Sequence, residues 1–324
     1  MLKKLFTQAA IAHAIKTLPE IKSPVMDTFY PAASRTTHPF SMIGIDEISE
    51  TVKAVPVVRR GTASISVGGG SRSQSYIEPQ PIDVNSFAGA KDLNDLKLLD
   101  SAGQQTYVNA KIDFIRKTVR ATSEALCAQS LSGKISYAMK TEAGMDTYEV
   151  DFGTVATATI AEKWGEDTTQ LKHILTHLMD MAETIETAGF GSNVEFYAGK
   201  TAFSEVASKV IAMGNDTRIE AKVDGNVIKL GGYTITRMAA TYYDPKTKTY
   251  KKAIDDKFVQ AVGKDAAFGF KYLAIDDLDA GLQAMPIFIN PKKVDDPSGW
   301  KIMGQSKPLP IPVVKAMVKA QVIA

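Results

Sequence analysis

The chain has 324 residues, enough for one large or two ordinary domains with a substantial core. Its 44% hydrophobic and 23% charged content is that of a globular protein, not a disordered or fibrous one. Thirty-eight Lys and Arg against 36 Asp and Glu give a formal net charge of +2. That is too little for a protein whose task is to grip nucleic acid through many phosphates, because each contact needs a cation.

The first twenty residues, MLKKLFTQAAIAHAIKTLPE, carry lysines and no acid before Glu20. Gln8 and His13 interrupt the apolar run, so no signal-peptide core forms. The spacing predicts a short amphipathic helix with Ile11, Ile15 and Leu18 on one face, and its basic character leaves a mitochondrial presequence as a lesser alternative. Pro24 and Pro31 should break this helix into an extended arm, SPVMDTFYPAASRTTHPF. In IGIDEISETVKAVPVV, β-branched residues dominate and Pro56 disfavours a central strand. Within RRGTASISVGGGSRSQSYIEPQPIDVNSF (59–87), Ile65 and Val67 alternate with serines before Gly68, Gly69 and Gly70 interrupt the pattern. The chain turns extended again through Tyr76 and Ile77. Two extended runs around a glycine tip predict a long hairpin or loop.

The clearest element follows. Val108, Ile112, Ile115, Val119, Thr122 and Leu126 fall on one helical stripe, with Ser101 and Gln104 as a capping-box start and Gly133 as a stop. About thirty residues make a rod of roughly 45 Å, long for a helix inside a compact enzyme. A hairpin turning near 142–144 comes next, then a helix that buries Leu171, Ile174, Leu175, Leu178, Ala182 and Ile185. VEFYAG reads as a strand and KTAFSEVASKVIAM as a helix. RIEAKVDGNVIKL is a hairpin turning at Asp224-Gly225, and YTITRMAATYYDPKTKTYKKAI is another turning at DPKTK. The closing strands are broken by Pro308, Pro310 and Pro312. Without repeats or regular βαβ alternation, the class is α+β.

Chemistry-bearing motifs are weak. A phosphate loop needs its glycines followed by Lys and Ser or Thr at the opening of a helix, whereas VGGGSRS leads into Gln74–Ile77, an extended run. A loop tip is the better reading. His173 and His177 have a spacing that can hold a metal, yet they lie opposite the leucine stripe, facing solvent or a partner, with no HExxH glutamate. Cys127 is the one cysteine, which excludes an intrachain disulfide and suits a reducing compartment; on its helix it reads as a buried small apolar residue. Asp276, Asp277 and Asp279 beside Gly281 lack the spacing of a calcium loop. No apolar run nears the ~20 residues of a membrane span. The expectation is no enzyme, no cofactor, no metal and no membrane.

In order and spacing, DTFYP, VPVVRRG, SYIEPQPIDVNSF, LSGKISY, TYEVDFG, VEFYAGKTAFSEV, GNDTRIE and DDPSGWKIMGQSKPLPIP run nearly the length of the chain. Together they resemble the major capsid proteins of tailed phages, in the lambda-like capsid protein E branch with the HK97-type fold. The resemblance implies an N-terminal arm (1–50), an extended loop (51–97), a spine helix (101–131) opening a first part of the peripheral domain (98–160), an axial domain (161–281) and a C-terminal part of the peripheral domain (282–324). It implies self-assembly into hexamers and pentamers of an icosahedral head that encloses double-stranded DNA with weak contact. The place is the virion, after assembly in the host cytoplasm. Partners would be a separate scaffolding protein, a portal and, where one is used, a decoration protein. Between Lys53 and Lys91 the loop has no lysine, so the isopeptide weld of some relatives is not expected.

The loop's polar, small residues cannot bury an apolar side against their own core, so a neighbouring subunit must complete it. Arg59, Arg60, Gly68, Gly69, Gly70, Arg72 and Tyr76 are the expected inter-subunit contacts. Glycine permits close approach, and arginine offers planar donors for carboxylates. Three rival readings remain. A nanocompartment shell keeps the fold and changes the cargo. A soluble phosphate-binding enzyme using GGGSRS would need a phosphate-loop lysine or a helix at residue 73. A monomeric DNA-binding module would want a basic stripe, and no such stripe is visible along the sequence.

Overall fold

The computed structural model describes residues 5–47, 73–213 and 220–324. The first helix, α1 (Gln8–Thr17), opens where the Thr7 hydroxyl accepts from the Ala10 N–H. It buries Ile11 and Ala14 and lays Ile15 and Leu18 half-buried beside them, the expected face. Phe6, just before it, stacks on Trp300 at 5.3 Å between centroids.

The following arm is not extended throughout. Pro24 starts a short helix, α2 (Pro24–Phe29), because proline at the first helical position has the right φ and no N–H to lose. Val25, Met26, Phe29 and Tyr30 are buried as a result. Beyond it, β1 (Arg35–Thr37) and β2 (Ile43–Glu47) lead up to residue 47, and β3 (Ser73–Ile77), β4 (Ile82–Gly89) and α3 (Ala90–Asp95) follow from residue 73.

The predicted rod is α4 (Ser101–Ser130), thirty residues and so about 45 Å long. Its cap differs from expectation. Asp100 is the N-cap, its Oδ1 accepting from the Gly103 N–H at 2.8 Å, while the Gln104 amide turns back to the carbonyls of Leu96 and Leu99. A carboxylate one residue earlier outcompetes the Ser101 hydroxyl for the free N–H groups of the first turn. At the other end Gly133 takes φ +84°, as a stop should.

The rod joins two cores. Val108, Ile112 and Ile115 pack with α1 and with β4, while Cys127, Ala128 and Leu131 pack with α2. At about 1.5–3 kcal/mol per buried aliphatic side chain, each face contributes substantially.

The expected hairpin is β5 (Lys134–Thr141) and β6 (Gly144–Asp151), followed by β7 (Ala156–Ala158). Then come α5 (Leu171–Thr187), β8 (Val194–Ala198) and α6 (Lys200–Met213). The strands β9 (Ala221–Asp224) and β10 (Val227–Leu230) meet with Asp224 paired to Val227, so the two-residue loop is Gly225–Asn226, one position beyond expectation, with Gly225 at φ +58°. The remaining strands are β11 (Tyr233–Arg237), β12 (Thr241–Asp244), β13 (Thr249–Lys252), β14 (Phe258–Gly263) and β15 (Gly269–Tyr272). They are followed by β16 (Phe288–Val294), β17 (Gly299–Ser306), β18 (Pro308–Ile311) and β19 (Met317–Gln321).

The largest sheet runs β7-β19-β14-β8-β11-β10-β9, mixing parallel and antiparallel pairs. Helices α5 and α6 cover one face with Ile174, Leu178, Phe196, Val206 and Ile235 at the centre of the core. On the other face Tyr197, Val262 and Met317 meet α2 and the end of α4. A three-stranded sheet, β16-β17-β4, lies along the first half of the rod.

Pro308 and Pro310 do not break the chain as expected. They sit in β18 at the edge of the sheet β1-β15-β18. The Lys307 carbonyl accepts from Leu273 N–H toward β15, so the alternate positions 308 and 310 point their missing donors outward, which an edge strand tolerates. The class is α+β, as the sequence implies.

Candidate functional site

Of the expected contact residues, Arg59, Arg60, Gly68, Gly69, Gly70 and Arg72 lie outside the described residues. Tyr76 is on β3 and 66% exposed. What the structure adds is the base of the loop. β2 and β3 pair antiparallel from Ile43↔Ile77 to Glu47↔Ser73. The chain that leaves at Glu47 therefore re-enters beside it at Ser73. Among the described residues no third strand joins this pair. Its anchor is Ile77, half-buried against Leu126, Ile135 and Val150.

A second constellation fixes the N-terminal arm to the rod. Glu124 on α4 is buried, and its two oxygens accept from the N–H groups of Val25 at 2.7 Å and Met26 at 2.9 Å. It thereby satisfies the first turn of α2 from outside the helix. Burial pushes its carboxyl above the usual value, partly countered by those two N–H groups.

One turn earlier Arg120 donates from Nε to Ser23 Oγ at 2.5 Å and from Nη2 to Asp27 Oδ1 at 2.7 Å. Arg35 reaches the same Asp27 oxygen at 2.6 Å and also donates to the carbonyls of Tyr30 and Met26. Burial works to raise the Asp27 carboxyl, but the Ser23 N–H and the two guanidiniums outweigh it and hold it below the usual value. Ser130 Oγ donates to the Cys127 carbonyl, which leaves Tyr30 to donate its hydroxyl hydrogen to Ser130 at 2.7 Å.

Sequence analysis missed this clamp. The available signal was Glu124, an acid beside Leu126 and Cys127 on the inward side of an amphipathic helix, where a carboxylate needs partners.

The weaker motifs resolve as structural. Cys127 is buried, and burial pushes its thiol well up, so it is no nucleophile. His173 and His177 are half-buried and face the chain before α5, not open solvent. His173 Nδ1 lies 2.8 Å from Glu162, and Trp164 donates its indole N–H to His177 Nδ1 at 3.2 Å. No group of three metal-ligating side chains occurs among the described residues.

Asp276 pairs with the buried Lys307 at 3.1 Å, Asp277 with Lys292 at 3.3 Å, and Asp279 accepts from the Asn290 amide. The acids of that turn are matched by lysines from β16 and from the start of β18.

A Gly-Lys-Thr tripeptide, Gly199–Lys200–Thr201, stands where β8 runs into α6, the setting of a phosphate loop. Position 194 is Val where that motif needs its first glycine. Asp256 already occupies the helix start, its Oδ1 accepting from Lys200 N–H and its carbonyl from Ala202 N–H.

A family model described as Phage major capsid protein E matches residues 7–322. Among solved structures, a prophage capsid protein of E. coli CFT073 is 18% identical over 99% of both chains, with a TM-score of 0.64. The capsid of a native GTA particle is 10% identical over 95% of this chain and 94% of that one, with a TM-score of 0.51. At such identities the likeness speaks to the fold, an HK97-like one. No curated protein matches the sequence.

Proposed function

The chain belongs to the Phage major capsid protein E family, structural subunits of a phage head shell, and from that premise we propose how its parts assemble. The extended loop (51–97) lies across a neighbouring copy, and the same contact repeats around hexamers and pentamers that close an icosahedral head over double-stranded DNA. Arg59, Arg60, Gly68, Gly69, Gly70, Arg72 and Tyr76 form this contact, with arginines facing carboxylates across the boundary.

The peripheral domain (98–160 with 282–324) and the axial domain (161–281) form the body of each subunit, and the arm (1–50) runs along its rod. A separate scaffolding protein, a portal and, in heads that use one, a decoration protein complete the particle. Assembly takes place in the host cytoplasm.

The observation that supports this reading is the foot of the loop. β2 and β3 pair with each other in full register, and no third strand among the described residues extends them. An isolated two-stranded ribbon is marginal in water, so it gains its order from a surface elsewhere. A head subunit has that surface in the next copy, through a heterologous interface that closes into a ring.

Deletion of residues 64–72 tests it. Negative-stain microscopy should show no closed shells, while circular dichroism and the urea transition of the subunit stay as in the wild type. Normal shells from the deletion would overturn the assignment.

A further inference from the structure

We propose that the β12–β13 hairpin and the lysine-lined cavity at its foot form a site for the phosphate backbone of double-stranded DNA. The biological identity of that DNA rests on the reading of the shell as a DNA container; the site itself rests on the following geometry.

The cavity, about 490 Å³, lies between the end of α4, the start of β5, the hairpin, β14 and β19. Five lysines line it, Lys134, Lys246, Lys251, Lys252 and Lys319, against two acids, Asp244 and Asp255. This local excess of three exceeds the net charge of the whole chain, +2, so positive charge is concentrated here and the remainder is slightly acidic.

Asp244 is turned inward and 2% exposed. It accepts from the Lys246 N–H at 2.9 Å, the Thr247 hydroxyl at 3.0 Å and the Lys251 ammonium at 2.5 Å. Its charge organises the turn and does not neutralise the tip. Lys134 is held by Glu149 and Lys252 by Asp256. Among the described residues Lys246, Lys248 and Lys319 form no direct salt bridge, although Lys246 attracts the Glu149 carboxylate from farther off, and Lys319 is half-buried on the sheet face that lines the cavity.

The tip carries a second, independent sign. Lys248 has φ +55°, a conformation that glycine adopts freely and a lysine adopts against steric resistance. The turn is built with an ammonium at the position where its backbone favours glycine.

The chemistry fits phosphate. No arginine lines the cavity, so the forked donor that reads carboxylates and base edges in pairs is missing. Its aromatics, Tyr242 and Phe258, are half-buried, and the hairpin's exposed tyrosines, Tyr243 and Tyr250, line a different cavity, with Phe114 and Lys117 of α4. Lysines are point charges that hold a backbone without reading sequence. Three ammonium groups outside any direct salt bridge predict a log–log salt slope near −2.7, weak and easily reversed, as suits DNA that must move past the wall.

The test is fluorescence anisotropy of the full-length chain with a 30-base-pair duplex at 50 and 200 mM salt. The wild type should lose about 40-fold in affinity between them. The variant K246Q/K248G/K319Q should bind at least tenfold more weakly at 50 mM and lose most of that slope. The control K97Q/K140Q/K229Q should behave as the wild type. K248G alone relieves its backbone, so it folds at least as well, and should lower the slope by about one.

An unchanged affinity and slope in the triple variant overturns the proposal. Equal binding of poly-glutamate that these lysines also control overturns it in favour of an acidic protein partner. Microscopy of the same samples keeps the two readings apart: lysine-dependent DNA binding by a chain that forms no shells would sustain this site and defeat the container.

Discussion

Replacing Glu124 should release the N-terminal arm from the rod while leaving the core between the main sheet and helices α5 and α6 folded. The magnitude follows from what the side chain satisfies. Its oxygens accept from two buried N–H groups, Val25 and Met26. Leaving a buried donor unpaired costs about 1–3 kcal/mol, so Glu124→Ala should weaken docking of α2 by about 2–6 kcal/mol. The penalty of keeping a carboxylate buried, visible in its raised pKa, offsets part of that sum. Glu124→Gln keeps one acceptor and turns an NH₂ group toward the other N–H, so its effect should fall near half, about 1–3 kcal/mol.

Native-state hydrogen exchange reads this locally. The amides of Val25, Met26 and Tyr30 should lose protection in Glu124→Ala, whereas those of β8 and β14 keep theirs. Equal protection of the α2 amides in wild type and variant would refute the reasoning, because the carboxylate would then not be what holds the arm.

Three further outcomes follow from the same structure. Asp27 is held below its usual value, so its contribution to stability is present above the unfolded carboxylate pKa of about 3.9 and is lost as pH falls through the lower folded value. Asp27→Asn should therefore be less stable than the wild type at pH 6 and show a flatter decline below about pH 4, checked by urea unfolding across pH 3–7. The raised Glu124 acts with the opposite sign, its ionisation costing stability as pH rises past the ordinary glutamate value, and Glu124→Gln should remove that component. A Cβ at Gly199 would sit 2.0 Å from the Asp255 carbonyl oxygen, so Gly199→Ala should cost about 3 kcal/mol in a denaturant titration, while Gly165→Ala, with its nearest atom at 3.9 Å, should be near neutral.

Elements set by local pattern were legible in the sequence. The α4 stripe, the α5 face, the limits of α6 and the β5–β6 hairpin need only side-chain period and turn chemistry, and they stand, except that on α5 Leu175 is half-buried and Met181 is buried with the rest of the face. α2 was missed because Pro24 was weighed as a breaker when it occupies the position where a helix accepts it. The N-cap was assigned to Ser101 because a hydroxyl and an amide three apart match a motif, although Asp100 stood one residue nearer. Non-local pairing left no trace in the sequence: nothing in Ala156–Ala158 signals that it lies beside Met317–Gln321. The lysines at the foot of the β12–β13 hairpin come from β5, the hairpin and β19, so no stripe of them exists along the chain. The clamp on α2 is of the same kind, with partners nearly a hundred positions apart. Most of the loop's expected contacts fall outside the described residues, and only Tyr76 could be placed.

The position of β19 has a bearing on how copies are made. It sits between β14 and β7, with Val318 and Ala320 inside the main core, yet every other strand of that sheet precedes it in the chain. During synthesis, then, the edges of β14 and β7 that face the slot stay unpaired until β19 emerges to fill it. A chain that stops before β19 keeps an incomplete sheet and lacks Val318 and Ala320 in the main core. Completion of the main sheet therefore waits on the one of its strands that is made after all the others.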